Sequence, residues 1–226
     1  MKSHNIMAIA LCFTVIQSLQ ANENSNFSVN LKYAKAEHNS STDNFLNSKQ
    51  NTQGKGISFD YHLTPHISLS AGYVDFGKAQ SDSFYASPYH WNDVYTGVTS
   101  ARSKGKGITY SAKLSTGNIF SKTKFIFESG LIDWKVEQSY VGLYQFTSGD
   151  TMESYSMNKD KGSSPFYSYG LSYSLNDKVS LSLSQEHYKV KTDSRVYYFA
   201  GASSGEIPQK MRQNFTLNSI NLSYHF

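Results

Sequence analysis

The chain has 226 residues, of which 15% are aromatic and 17% charged, and its formal charge is +4. So small a charge gives no basic stripe for nucleic acid, and a single cysteine, Cys12, excludes a disulfide within the chain. After Ala21, no run approaches the roughly 18 consecutive apolar residues of a membrane helix, although mean hydropathy is only −0.48.

At the start, Lys2 precedes the apolar run Ile6 to Ile16, and Gln17-Ser18-Leu19-Gln20-Ala21 forms a polar, small-residue exit. This pattern predicts a secretory signal peptide over residues 1–21, cleaved after Ala21. Cys12 would leave with it, and no cysteine stands at a cleavage box to carry a lipid. Residues 22–226 then suffice for one domain.

A first strand is predicted from Asn26 to Ala34, with Phe27, Val29, Leu31 and Tyr33 on one face and Ser28, Asn30 and Lys32 on the other. A second, Gly56 to Leu63, sets Ile57, Phe59 and Tyr61 against Ser58, Asp60 and His62. Thr64-Pro65-His66 is a tight turn into a third strand, Ile67 to about Phe76. The fourth, Gly107 to Leu114, has Ile108, Tyr110 and Ala112 opposite Thr109, Ser111 and Lys113. The fifth, Lys122 to about Lys135, sets Phe125 and Phe127 against Lys124, Ile126 and Glu128, with its phase past Ser129 left open. The sixth covers Phe166 to Leu175, and Asn176-Asp177-Lys178 turns the chain into the seventh, Val179 to about Val190. The last, Leu217 to Phe226, puts Ile220, Leu222, Tyr224 and Phe226 on one face and Asn221, Ser223 and His225 on the other.

The connections alternate in length. Those after the second, fourth and sixth strands are short, and those after the others (36–55, 78–106, 136–165 and 191–214) are long. That parity fits an all-β, transmembrane, eight-stranded antiparallel up-and-down β-barrel over residues 22–226, with both termini and the short turns periplasmic and four long loops extracellular. A soluble sandwich or lipocalin-like barrel is the structural rival. Side-chain size decides between them, because Ser, Thr, Asn and Gly suit a narrow lumen while Tyr, Phe and Leu suit lipid.

In this register Lys32, Asp60, His62, Lys113, Lys124, Glu128 and Glu186 project inward as a mixed network, since isolated charges there would be costly. A small or gated conductance is the alternative use of the same charges. Tyr33, Tyr61, Tyr73, Trp134, Tyr188 and Tyr224 are candidates for interfacial aromatic belts. The second loop holds the densest aromatic cluster, with Phe84, Tyr85, Tyr89 and Trp91 as candidate recognition residues, read either as packing on the rim or as contacts to a ligand. Lys104 and Lys106 can face lipopolysaccharide phosphates.

Ser184, Glu186 and His187 are the nearest local catalytic collection, but alternation sends His187 to the opposite face. Ser58 and His62 share a face near a short turn, and His66-Ile67-Ser68 holds only the start of a His-x-Ser-Asn pattern. No catalytic residue, cofactor or metal is expected. Asp82, Asp93, Asp150 and Asp160 are scattered loop acids.

The hairpin Ile57 to Gly77, in particular Ala71-Gly72-Tyr73-Val74-Asp75-Phe76-Gly77, resembles the second hairpin of OmpA-like transmembrane β-barrels. The terminal aromatic strand ending at Phe226 is similar to the carboxy-terminal signal of bacterial outer-membrane barrels. The resemblance implies a multi-pass location in the outer membrane of a Gram-negative bacterium. Some members carry a soluble peptidoglycan-binding domain after the barrel, and that role is not expected here. Related small barrels include structural proteins, adhesins, serum-resistance factors, weak conductors and lipid A-modifying enzymes, so fold alone does not choose among them. The expectation is a monomeric surface or structural barrel. Outer-membrane lipid and lipopolysaccharide are its expected partners, and its loops are suited to a host surface or matrix ligand.

Overall fold

The computed structural model describes residues 26–42, 47–89, 93–146, 149, 151–200 and 203–226. The candidate signal peptide and Trp91 lie outside these residues. Strands β1 (Phe27–Thr42), β2 (Asn47–His62), β3 (Ile67–Tyr89), β4 (Asp93–Ser115), β5 (Thr123–Phe146), β6 (Thr151–Ser174), β7 (Val179–Ala200) and β8 (Ser203–His225) form a closed barrel in chain order. Every neighbouring pair is antiparallel, and β8 closes onto β1 from Ser28↔His225 to Thr42↔Met211.

The short turns are tied by side chains. Thr64 Oγ1 accepts the amides of His66 and Ile67 at 3.2 and 3.0 Å, and Asn176 Oδ1 accepts those of Lys178 and Val179 at 2.9 and 2.8 Å. Such local bonds give the backbone an alternative to the ladder and end the strands there.

At the other end the strands run much farther than predicted: β3 continues to Tyr89, β4 starts at Asp93, β5 reaches Phe146 and β6 starts at Thr151. The composition that suggested long loops is that of strands whose outward face meets water. On β5 the phase holds past Ser129 while the polarity reverses. Phe125, Phe127 and Leu131 point out, followed on the same face by Asp133, Lys135 and Glu137; Lys124 and Glu128 point in, followed by Ile132, Trp134 and Val136. On β1 the outward series Phe27, Leu31 and Tyr33 gives way to Lys35, and the inward series Ser28, Asn30 and Lys32 gives way to Ala34, Ala36 and His38. Towards the lower end the barrel is apolar outside and polar inside, as lipid requires. Beyond the reversal it is built like a water-exposed sandwich. The outward apolar run from Phe27 to Tyr33 covers roughly 20 Å along a strand at about 3.3 Å per residue, enough for a tilted crossing of a thin hydrocarbon layer.

Above the reversal the wall divides. Between β2 and β3 the described pairing runs only from Lys55↔Asp75 to His62↔Ser68. Between β6 and β7 it breaks off at Phe166↔Tyr188 and resumes at Tyr155↔Tyr197. The result is two leaves, β3-β4-β5-β6 and β7-β8-β1-β2. The first split begins at a bulge where Gly77 has φ 80° and donates its amide to Asp75 Oδ1 at 2.9 Å. A Cβ at Gly77 would stand 2.3 Å from the Gln53 carbonyl oxygen, so both conformation and space call for glycine.

The leaves enclose an apolar core. Phe76 of one leaf stacks on Phe215 of the other at 4.3 Å between ring centroids and meets Tyr188 edge-on at 5.0 Å. Phe166 stacks on Tyr188 at 4.9 Å, and Ile132, Trp134, Val136, Val190 and Leu217, with the smaller Ala34, Ala36 and Val74, complete the cluster. Trp134 and Tyr188 are therefore core residues, 5% and 1% exposed, and the expectation that they anchor an interface is corrected. Both fall beyond the polarity reversal, where the inward face needs large apolar groups. Tyr33, Tyr61 and Tyr73 do face outward and are exposed.

If the reversal marks the edge of the hydrocarbon, Leu171→Arg should destabilise the barrel refolded in lipid by about 2–4 kcal/mol. Ser163→Arg, outward on the same strand but beyond the reversal, should change it by less than about 0.5 kcal/mol. Guanidinium titration of both variants in phosphatidylcholine vesicles measures the contrast.

Candidate functional site

The lower interior brings together the predicted inward residues. Lys32 of β1 reaches Glu186 of β7 at 2.6 Å, passing over β8. Lys113 of β4 reaches both oxygens of Asp60 of β2 at 2.9 Å, passing over β3. The strand crossed in each case presents small groups inward, Ser219 and Asn221 on β8 and Ser70 and Gly72 on β3, which leaves room for long cations. Each carboxylate has further donors. Glu186 accepts from Tyr188 Oη at 2.6 Å and Ser219 Oγ at 3.1 Å, and Asp60 accepts from Asn30 Nδ2 at 2.9 Å. Glu128 accepts from Ser111 Oγ at 2.5 Å. Charges out of bulk water persist only with such pairing and hydrogen bonding.

His62 hydrogen-bonds Ser28 at 3.0 Å near the short-turn end, and its ring lies 5.7 Å from that of His225, which hydrogen-bonds Ser180 at 3.0 Å. Lys124 lines the same chamber of about 500 Å³, whose wall extends to Thr64, Pro65 and His66 at the turns. At its far end the chamber meets Tyr188 and Val74, the beginning of the apolar core. The interior thus has two storeys, a polar chamber beneath an aromatic and aliphatic stopper.

The stopper was not anticipated. Its signal was present in the alternation Ile132, Trp134, Val136 against Asp133, Lys135, Glu137, which keeps the strand phase and exchanges the residue classes. Of the predicted recognition cluster, Phe84, Tyr85 and Tyr89 lie in β3. The residues Ser184 and Glu186 face the lumen, whereas His187 faces outward, hydrogen-bonded to Gln185 at 3.2 Å and stacked on Tyr167 at 4.9 Å. The wall of the barrel separates them. A further outward group on the β5–β6 extension consists of Val141, Leu143, Tyr155 and Met157, with Val141 directly opposite Tyr155.

The OmpA-like transmembrane domain matches this sequence over residues 22–226. The chain belongs to that family. As an OmpA-like barrel, it is a protein of the bacterial outer membrane. Among solved structures it is similar to Neisserial surface protein A (14% identity, TM-score 0.40, covering 89% of this chain and 98% of that one). It is similar also to Ail of Yersinia pestis bound to the heparin analogue sucrose octasulfate (9%, TM-score 0.41, 89% and 99%), and to OprG from Pseudomonas aeruginosa (10%, TM-score 0.45, 89% and 97%). Comparison with curated protein sequences gives no match.

In this OmpA-like chain, His38 sits above the lipid-facing zone, 4% exposed, with its ring edge-on to Phe215 at 4.8 Å. Its Nε2 lies 2.9 Å from the Phe76 carbonyl, which can only accept, so Nε2 carries the proton; Nδ1 is buried without a partner. Burial lowers the His38 pKa below its ordinary 6.5, and the bond to Phe76 only partly opposes this. The unfolded chain therefore binds this proton more readily than the folded one, so the contribution to stability is complete above about pH 6.5 and is lost as pH falls towards and through the folded value.

Two measurements follow from this interior. Glu186→Gln keeps a single acceptor oxygen where Tyr188 and Ser219 now use one each, and it leaves the Lys32 ammonium unpaired; it should cost about 3 kcal/mol in guanidinium unfolding, and adding Lys32→Met should restore more than half of the loss. For His38, the drop in unfolding midpoint between pH 7.5 and 5.0 should be smaller in His38→Gln than in the parent; an equal drop in both would remove His38 from the acid response.

Proposed function

We propose that this chain is an outer-membrane surface protein whose two leaves project outside the cell and carry its interactions, the barrel serving as their membrane anchor. The observation that carries the reading is the apolar stopper. Phe76, Tyr188 and Phe215 pack on one another across the interior above the polar chamber, which supports a closed barrel over an ion path. The short turns and both termini then face the periplasm, residues 1–21 are removed as a signal peptide, and the chain acts as a monomer among outer-membrane lipid and lipopolysaccharide.

The leaves support the binding role by their construction. A segment held by ladder hydrogen bonds and a shared core has already lost the freedom that a loop would lose on binding. On their outer surface Val141, Leu143, Tyr155 and Met157 are about half exposed or more, at 49% to 73%, in a zone with no lipid to cover them. Apolar groups grouped on a water-facing surface mark interaction sites. A macromolecule of the host surface or matrix is the partner class proposed, in keeping with Phe84, Tyr85 and Tyr89 near the end of β3.

Refolded protein in lipid should bind intact host cells or isolated matrix proteins, and a variant with the β3–β4 and β5–β6 hairpins cut back to the reversal should fold yet lose that binding. In planar bilayers the parent should show no steady conductance, whereas Phe76→Ala with Phe215→Ala should. Hairpin-independent binding, or an ion current through the parent, would move the function to the barrel interior and to the alternative of a small channel.

A further inference from the structure

The strand register places lysines side by side on the outer wall. Lys106 of β4 is directly opposite Lys135 of β5, which is directly opposite Lys161 of β6. All three are exposed. Residues directly opposite in antiparallel strands have Cβ atoms about 4.5–5.5 Å apart, and like charges there are destabilising. The next row shows what compensation looks like. There Lys104 stands opposite Glu137, and Glu137 opposite Lys159, with Lys159 and Glu137 in an ion pair at 3.8 Å. In the row of three lysines the central position is another cation.

Two acids stand near the row, one carboxylate fewer than its cations. Asp75 faces Lys106 across the ladder, but its carboxylate accepts the Gly77 amide at 2.9 Å and forms no ion pair among the described residues. Asp133, outward on β5 two residues before Lys135, forms none either, and neither do the three lysines among the described residues.

The lysines border a hollow of about 590 Å³ on the outer wall, with Tyr73 and Ile108 on its lower side; Asp133 also lines it, so three cations share it with one carboxylate. The hollow passes over Gly107 and Gly162, where the wall is bare backbone backed by Trp134 from inside; a Cβ at Gly162 would come within 2.6 Å of that indole. Along β4 from the short-turn end, the outward apolar residues Leu114, Tyr110 and Ile108 are followed on the same face by Lys106. With strands tilted by about 40°, the row climbs roughly 3 Å per strand away from the lipid edge, so it crosses the level of lipid headgroups obliquely.

We propose that Lys106, Lys135 and Lys161 form a binding site for the phosphate groups of a phosphorylated glycolipid of the outer leaflet, the hollow taking part of its headgroup and Tyr73 and Ile108 meeting its upper acyl carbons. A phosphate inserted between the lysines accepts several charge-assisted hydrogen bonds and turns mutual repulsion into shared attraction. The apolar lower side selects a lipid over a free anion. The site rests on the outward orientation of the leaves proposed above.

The full chain, expressed in a Gram-negative host and purified in detergent, is titrated with diphosphoryl lipid A, dephosphorylated lipid A and inorganic phosphate. Heat-modifiable mobility on gels confirms that each variant is folded. Lys106→Gln with Lys135→Gln and Lys161→Gln should weaken binding of the diphosphoryl lipid by on the order of tenfold to a hundredfold, and dephosphorylation should do the same to the parent. The corresponding triple arginine variant should keep binding, and Lys189→Gln with Lys191→Gln, on the opposite leaf, should leave it unchanged. Equal binding by the glutamine variant, or equal binding of the dephosphorylated lipid, would overturn the site; displacement by millimolar inorganic phosphate would overturn its assignment to a lipid. A membrane-impermeant amine reagent on intact cells tests the orientation separately. Failure of Lys191, exposed on the opposite leaf and outside the site, to react there would remove the surface reading even where lipid A still binds.

Discussion

The pleat of a strand sends successive side chains to opposite faces, and this barrel maintains that alternation while its surroundings change from lipid to water. The strands pass from one to the other without a break in phase. What changes is which class of residue occupies each face, as on β5 where Leu131 and Asp133 share the outside and Glu128 and Ile132 the inside. Apolar groups outside are favourable only against hydrocarbon, and above it the same groups must turn to the interior or remain in contact with water. The reversal therefore also sets the depth at which the barrel sits.

The interior follows from this. Below the reversal a narrow lumen must hold polar groups without bulk water, and it does so with ion pairs that skip one strand, Lys32 to Glu186 and Lys113 to Asp60. Above it the inward residues include large apolar groups, Phe76, Trp134, Phe166 and Phe215 among them, and a closed circle of eight strands has little space for them. The wall opens at the Gly77 bulge and again between Phe166 and Tyr155, which lets two leaves close on Phe76, Trp134, Tyr188 and Phe215 as the sheets of a sandwich do. Tyr188 joins the two storeys, since its ring packs in the core while its hydroxyl donates to Glu186.

The part in lipid was legible in the sequence because its two requirements coincide there. Phe59 against Asp60, or Leu222 against Asn221, states both strand and facing, and the inward direction of Glu186 followed from counting along β7. Beyond the reversal a reader expecting apolar outside takes Trp134 and Tyr188 as anchors in the interface, and takes Ser, Asn and Lys between them as loop. Gly77 compounds the difficulty, since its bulge places both Phe76 and Ala79 inside and breaks the period of two. Which lysine meets which acid was beyond reach, because strands far apart in the chain become neighbours only once the barrel closes, and tilt decides the rows. The lysine row has the same origin: Lys106, Lys135 and Lys161 are dispersed in the sequence and become adjacent only through the register of β4, β5 and β6.

The leaves make a rigid surface out of segments whose composition is that of loops. Ordering such a segment costs about 1–2 kcal/mol per residue in backbone entropy. Here the ladders offset this by satisfying backbone groups, and the shared core by burying Ile132, Val136, Val190 and Leu217. A ligand meeting the outer face of the leaves meets side chains already held in place, so less of its binding energy is spent on ordering them. The dependence runs in one direction. Substitutions on the outward face can alter recognition with little effect on the leaf, whereas those at Phe76, Phe215 or Gly77 act on the leaf itself and on every surface it presents.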